Sequence, residues 1–244
     1  GSAARFALLQ AALAGLPRVP ALPVDGAVKR RYCALVAEVV RPRRPWQDRF
    51  EPDNWDFLEM AELLTLRRLP AGQHDWEVSG LPRSWLLKVP PLALPGLLRE
   101  VAFGLGGFRP LAWVHINRWR PNRMMLLETE AKRSYHRIAR SVALQPRIRG
   151  LMGYSWFYSA PVAEFSPHLA WLRAFFAENG ATIVEMEPAP ADAGFLEGSA
   201  RRRQAYEEGR FRPRRTLVLW RREHLLAWAA AHPELRDEDE AVPG

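Results

Sequence analysis

The sequence predicts an α/β (α+β) fold, with a mixed central sheet flanked by helices and a helical addition at the N-terminal side. Three observations predict it. Residues 111–119, 150–158, 181–187 and 214–220 are short apolar runs of strand type. Helical patterns at Glu128–Leu144, His168–Asn179 and Glu223–Ala231 alternate with them, the order expected of helices packed on a sheet. The first hundred residues instead carry helical spacings cut by prolines.

Taken in order, Arg5–Leu16 reads as a first helix ended by Pro17. It lacks the basic start and cleavage site of a signal segment. Gly26–Val40 is a second helix, with Tyr32, Leu35, Val36, Val39 and Val40 at helical spacing. Asp53–Arg68 reads as a third, with Asp53 as its N-cap. Gly72–Gly80 is polar and turn-like, Pro82–Leu94 is punctuated by prolines, and Pro95–Phe103 is a short helix. Gly104-Leu105-Gly106-Gly107 is a connection, because no strand precedes it and no helix comes after it. Leu196–Gly209 is a basic helix, and Glu234–Gly244 an acidic, uncapped tail expected to be loose. These boundaries give a helical region at 3–103, an α/β core at 104–233 and a tail at 234–244.

With 244 residues and 48% hydrophobic composition, the chain is able to bury a sizeable core. No run approaches the length of a membrane-spanning helix. Cys33 is the only cysteine, so an internal disulfide and a cysteine-based zinc site are excluded, which fits a cytoplasmic protein. The chain is basic, at +8. Its only lysines are Lys29, Lys88 and Lys132, so the charge is arginine charge. Its densest stretch runs from Arg201, Arg202 and Arg203 through Arg210, Arg212, Arg214 and Arg215 to Arg222. Arginines in this pattern are suited to holding a cofactor's phosphates, with Arg201, Arg202, Arg203 and Arg214 as the candidates, or a nucleic-acid backbone. The alternative is a solvated helix face.

His115 and Asn117 alternate on one face of the first core strand, and a histidine near a strand end is suited to general-base work. Tyr154, Trp156 and Tyr158 share one face of the next strand, with Ser155 on the other; an aromatic face bearing hydroxyls suits a ligand pocket. His168 comes after Ser166-Pro167, a helix start with Ser166 as N-cap. Ser155 lacks the Gly-x-Ser-x-Gly setting of a hydrolase nucleophile. No pair of histidines has metal-ligand spacing, and Asp53, Asp56 and Glu59 read as a solvated acidic face, so no metal is expected.

From Leu111 onward the order central strand, helix, second strand, helix, final hairpin resembles the GNAT superfamily of N-acyltransferases. Leu169–Ala181 is similar to that family's late helix. The family's pyrophosphate loop, R/Q-x-x-G-x-G/A, corresponds in position to Arg118–Arg123, which holds no glycine; Arg147–Met152 is a partial match ahead of a strand. The resemblance implies transfer of an acyl group from a thioester such as acyl-CoA to an amine or similar nucleophile on a small or carrier-bound substrate. It implies His115 or Glu128 as the group taking the acceptor's proton, and Tyr158 as the one returning a proton to the leaving thiolate. Asn117, Tyr154, Ser155, Trp156 and His168 would line the substrate site. A nucleic-acid-binding module using Arg201–Arg222, and a catalytically silent partner-binding protein, stand as alternatives.

Overall fold

The computed structural model describes residues 2–41, 55–117 and 126–237. In chain order its elements begin with α1 (Ser2–Gly15), α2 (Gly26–Val40), α3 (Trp55–Leu64), β1 (Leu69–Pro70), β2 (His74–Ser79), α4 (Leu94–Arg99), β3 (Leu111–Ile116) and α5 (Glu128–Ala143). They continue with β4 (Gly150–Ser155), α6 (Val162–Phe165), α7 (Ala170–Glu178), β5 (Thr182–Pro188), α8 (Ala200–Glu207), β6 (Arg214–Arg221) and α9 (Arg222–Ala231). The strands form a six-stranded mixed sheet in the order β1-β2-β3-β4-β6-β5. The α/β fold with helices flanking a mixed sheet is therefore the one expected. No described helix is long and apolar enough to cross a membrane.

The chain divides into two compact units, Gly1–Val78 with His115–Pro146 and Ala229–Gly244, and Ser79–Val114 with Arg147–Trp228.

In the first unit, α1, α2 and α3 share a core of Leu8, Tyr32, Leu35, Val36, Met60 and Leu63. The apolar stripe of α2 is buried as its spacing requires, except Val40, which is exposed at the helix end. Asp25 caps α2 by accepting the Ala27 N–H at 2.9 Å, and Arg140 of α5 holds its other oxygen at 2.5 Å. Asp53 lies outside the described residues. The stretch expected to be a turn at 72–80 instead contains β2, paired antiparallel with β1 through Leu69↔Trp76 and Pro70↔Asp75. Its polar residues are buried beneath α5: Ser134 Oγ accepts the Gln73 N–H at 3.0 Å, and Tyr135 Oη meets His74 Nε2 at 3.0 Å. The start of the acidic tail is not loose. Asp237 takes a two-pronged ion pair from the buried Arg137, at 2.6 and 2.5 Å, while Arg137 also donates to the Ala71 carbonyl. The remainder of the tail, 238–244, lies outside the described residues.

In the second unit, β3 and β4 run parallel over Ala112↔Leu151, Trp113↔Met152 and Val114↔Gly153. Strand β4 then pairs antiparallel with β6 along its whole length, from Gly150↔Arg221 to Ser155↔Thr216, and β5 pairs antiparallel with the far side of β6. One sheet face carries Leu111, Met152, Val184, Leu217 and Leu219, covered by the segment from Leu81 to Leu105. The other packs on α7, where Phe175, Phe176 and Trp228 surround Trp220 with ring centroids 5.2–5.6 Å apart. The Trp220 indole N–H donates to the Asn179 carbonyl at 2.8 Å. The strand expected over 150–158 stops at Ser155, whose Oγ accepts the Phe157 N–H and turns Trp156–Tyr158 into a 3₁₀ helix. Ser166 is not the side-chain cap expected of it, because Arg202 holds its hydroxyl at 2.9 Å.

Gly150 sits at φ +156°, and a Cβ placed there would lie 2.2 Å from the Trp220 carbonyl oxygen. Strain and backbone overlap act together at this position. Gly150→Ala is expected to destabilise the protein by about 2–4 kcal/mol in urea unfolding, whereas Gly80→Ala, where a Cβ meets open space, is expected to cost well under about 1 kcal/mol.

Candidate active site

The polar residues expected to do chemistry fall into one cluster in each unit. In the first unit, His115 at the end of β3 is half-buried, and its Nε2 lies 3.0 Å from Glu77 Oε1 on β2. That hydrogen bond holds the Glu77 carboxyl below its usual range against the upward push of burial, with electrostatic attraction to the His115, Arg68 and Arg67 side chains adding to it. Asn117 is buried and donates to Asp75 at 3.4 Å. His74 is fully enclosed; burial, and then the neighbouring His115, push its pKa down to about 3, so it is neutral beside Tyr135. Two histidines and two carboxylates thus share the β2–β3 edge of this unit, one histidine locked neutral and the other set against a carboxylate. Glu77 and Asp75 escape sequence reasoning because they sit in a polar stretch that reads as a turn. The alternation of Asp75, Glu77 and Ser79 with His74, Trp76 and Val78 is the strand signal there.

Glu128, the other candidate base, is exposed at the first position of α5 and pairs with Lys132 at 2.6 Å. Glu130 pairs likewise with Arg133 at 2.8 Å. The residues preceding α5 at 118–125, which include the counterpart of the pyrophosphate loop, lie outside the described residues.

In the second unit the expected common face of Tyr154, Trp156 and Tyr158 does not form, because the strand ends between them. Tyr154 stacks on Trp85 with centroids 4.0 Å apart, and Trp85 meets Trp113 of β3 edge-on at 5.6 Å. Its hydroxyl donates to Glu187 of β5 at 2.6 Å, and Lys88 lies 3.3 Å from the same carboxylate oxygen. Burial first, and the Glu187 carboxylate second, raise the Tyr154 phenol to about 12. Burial pushes Glu187 up, but the bonds from Tyr154, its own backbone and Lys88 outweigh it and hold the carboxyl low. Tyr158 is turned to the opposite face of β4. A Cβ on Gly153 would lie 2.8 Å from its hydroxyl, and its ring meets Phe176 edge-on. Trp156 is buried, stacked on Phe157 with the Arg202 guanidinium 5.5 Å from its ring centre. Beyond Ser155, an open groove of about 270 Å³ runs between the α6 region and α7, lined by Phe157, Ala160, Val162, Leu169 and Ala174, with Arg173 among them. His168 is exposed in a 3₁₀ turn ahead of α7.

The arginines expected to be phosphate ligands are not alike. Arg202 is buried, and its nitrogens donate to the Phe195 carbonyl at 2.5 Å, to Ser166 Oγ at 2.9 Å and to the Glu197 carbonyl at 2.7 Å. It is a strut that ties α8 to the loop before it, and no face of it is left for a phosphate. Arg201 and Arg203 are exposed, Arg201 reaching the Glu164 carbonyl at 3.2 Å. Arg214 is half-buried, its backbone N–H held by Ser159 Oγ at 2.9 Å. Arg210 pairs with Glu208, and Arg212 donates to the Tyr206 carbonyl and lies over that ring. Gly150, in the partial pyrophosphate-loop match, is a glycine for the sake of the β6 backbone. Among the described residues no group of three or more histidine, cysteine, aspartate or glutamate side chains is placed to hold a metal ion.

Compared with solved structures, the chain is similar to an acyltransferase crystallised with decanoyl-CoA, at 18% identity and a TM-score of 0.56 over 91% of this chain and 67% of that one. The chain has an acyltransferase-type fold. A structure of an acyltransferase with CoA and 10C-teicoplanin aligns at 15% identity, with a TM-score of 0.49, over 86% of this chain and 64% of that one. The chain thus spans about two thirds of the length of these neighbours. No family model and no curated protein sequence matches it.

Protonation of the enclosed His74 gives the acyltransferase-type fold a definite acid response. A histidine whose folded pKa lies below its unfolded 6.5 contributes stability above pH 6.5 that is lost as pH falls toward about 3. Urea midpoints measured from pH 7 to 4 are expected to fall, and His74→Gln to remove up to about 1.4 kcal/mol per pH unit of that slope. An unchanged slope would show that His74 does not carry it; His136, shifted in the same direction by burial, is present in both proteins. For the arginine helix, Arg202→Met is expected to cost about 2–4 kcal/mol through its stranded acceptors, and Arg203→Gln no more than about 0.5 kcal/mol, both read from urea unfolding.

Proposed function

We propose that this protein is an acyltransferase of GNAT type, moving an acyl group from a thioester donor such as acyl-CoA to an amine or similar nucleophile. The observation that carries the reading is the parallel pair β3–β4. Its registered ladder ends at Val114↔Gly153, while β3 continues to Ile116 and β4 to Ser155. Among the described residues no pairing joins β3 to β4 past the last registered pair, and in this reading an extended thioester chain takes that side of the pair, with backbone N–H groups facing its carbonyl oxygen. The sequence order of a central strand, a helix, a second strand, a helix and a closing antiparallel pair, β5 with β6, resembles the GNAT arrangement and supports this reading. The likeness to an acyltransferase that binds decanoyl-CoA supports the same reading.

In this reading the reaction is direct transfer. The acceptor amine attacks the thioester carbonyl, the tetrahedral oxyanion is held by backbone N–H groups, and collapse expels the thiolate. His115 takes the acceptor's proton. Glu77, 3.0 Å from Nε2, stabilises the imidazolium formed. Tyr158, held beneath Gly153 at the end of the ladder, returns a proton to the thiolate. No covalent enzyme intermediate is needed. The groove beyond Ser155 gives an apolar seat to the aliphatic part of a donor.

Titration calorimetry with acetyl-, octanoyl- and decanoyl-CoA is expected to show binding, and His115→Ala to lower kcat by about 10²–10⁴ with donor affinity retained. Glu77→Gln is expected to lower kcat by about 10-fold with donor affinity retained, because the carboxylate no longer supports the imidazolium. Absence of binding to every acyl-CoA, or full turnover by His115→Ala, would overturn the assignment.

A further inference from the structure

Within the second unit, the segment from Leu81 to Pro110 covers one face of the sheet, and its own outer side is apolar. Inward, Leu81, Val89, Leu97, Val101 and Leu105 close the core. Outward, Leu87, Leu92, Leu98, Phe103 and Phe108 are left in solvent. Helix α4 and the π-helical turn that prolongs it to Gly104 show the division directly. Leu97, Glu100, Val101 and Gly104 are buried, while Leu98, Arg99, Ala102 and Phe103 are exposed. The solvent face that a surface helix ordinarily gives to polar residues is here given mostly to leucine, alanine and phenylalanine.

Single exposed apolar side chains are ordinary on protein surfaces, but a concentration of them marks an interaction site. Among the described residues twelve large hydrophobic side chains are exposed, and five of them lie in this one segment. Leu92 at 98%, Leu87 at 89% and Phe103 at 85% are the three most exposed of the twelve. Side chains that stand almost wholly in solvent are shaped to enter a fluid apolar layer, whereas a folded partner packs against half-exposed ones. Charge points the same way. The exposed charged residues of the segment are Arg83, Lys88, Arg99 and Arg109, all of them basic. Its only carboxylate, Glu100, is buried and held through both oxygens by Arg221. Lys88 pairs with Glu187 at 3.3 Å and is still 41% exposed. The Arg83 guanidinium lies 5.4 Å from the Phe108 ring centre, which brings the two ends of the segment together. Leucine and phenylalanine set among arginine and lysine, with no exposed carboxylate in the segment, is the composition of a surface that seats in the headgroup region of an anionic bilayer.

We propose that the outer side of this segment docks on anionic lipid membranes, with Leu87, Leu92 and Phe103 entering the bilayer and Arg99 and Arg109 meeting lipid phosphates. The proposal rests on this surface alone and is independent of acyl transfer. Co-sedimentation of the full chain is measured with vesicles of phosphatidylcholine and with vesicles that also hold about 30% phosphatidylglycerol. Wild-type protein is expected to bind the mixed vesicles about 10-fold or more tightly than the neutral ones. L92S/F103S, which keeps every charge, is expected to weaken that binding by about 10-fold or more. R99Q/R109Q is expected to weaken it by about 10-fold and to flatten its fall with added salt. F6S/L13S, which removes two exposed apolar side chains of the first unit, is expected to change nothing. Because Leu92 and Phe103 are exposed, circular dichroism of L92S/F103S is expected to match wild type. A polarity-sensitive dye gives the second measurement. Attached through F103C in a C33S protein, since Cys33 is itself exposed, it is expected to shift its emission to the blue on mixed vesicles, and attached through L13C to stay unmoved. Absence of binding to mixed vesicles, undiminished binding by L92S/F103S, or equal loss in F6S/L13S would overturn the proposal. Light scattering that finds the wild type dimeric and L92S/F103S monomeric would overturn it too, by assigning the face to a second copy of the chain.

Discussion

Strand β6 is hydrogen-bonded along both edges, to β4 on one side and β5 on the other, and the second unit is arranged around that double pairing. Thr216, Leu217, Val218, Leu219 and Trp220 are all fully enclosed. Alternation sends Leu217 and Leu219 to one core and Val218 and Trp220 to the other, so a single strand anchors both layers. Such a strand tolerates no gap in its ladder, and this explains the close approach of Gly150 to the Trp220 carbonyl. A side chain at 150 would push β4 off β6 at the point where the two ladders start. The parallel pairing of β3 with β4 is short by comparison, with three registered positions against six between β4 and β6. Strand β4 is thus paired firmly on one edge and briefly on the other.

The path of the chain after β4 is shaped by the same constraint. Once Ser155 has paired with Thr216, its hydroxyl turns back to the Phe157 N–H, and the chain leaves the sheet as a 3₁₀ turn. Tyr158 swings beneath Gly153, while Tyr154 stays on the other face against Trp85. Glu185 then fixes the exit of the turn, accepting the Ala160 N–H at 2.8 Å and the Arg173 guanidinium at 3.3 Å. Arg173 also donates to the Tyr158 carbonyl at 2.7 Å. The position of the Tyr158 phenol is thereby set by groups on β5 and α7, far from it in sequence. A residue held in this way keeps its geometry without needing a strand to carry it.

The helices and the core strands are legible in the sequence because each carries its own period. The stripe of α2 and the cap at Asp25 are local signals, and α5 and β6 likewise appear within a residue of their sequence boundaries. Two failures have physical causes. Strand β2 is hidden because His74, Asp75 and Glu77 look solvated, whereas the first two are buried in company that only tertiary structure provides: Tyr135 for His74, Asn117 for Asp75. With β2 hidden, the carboxylate facing His115 is hidden too, so the histidine is legible and its partner is not. The shared face of Tyr154, Trp156 and Tyr158 extrapolates period two past the end of a strand. Ser155, a residue prone to bonding its own backbone, is the one local sign that the period stops there.

The arginines show why net charge is a poor guide to function here. Arg137, Arg202 and Arg221 do internal work: Arg137 joins α5 to Asp237 and the Ala71 carbonyl, Arg202 closes the α8 loop, and Arg221 grips the buried Glu100 through both of its oxygens. Each uses the planar fork to satisfy two or three acceptor atoms at once, a geometry that the single ammonium of lysine cannot copy. A chain with three lysines and many arginines is therefore equipped to knit loops from inside as much as to attract polyanions from outside. The distinction lies in burial and partners, not in sequence density: Arg202 sits in the densest basic run and is buried with its guanidinium bonded to three acceptors, whereas Arg201 and Arg203 on either side of it are exposed.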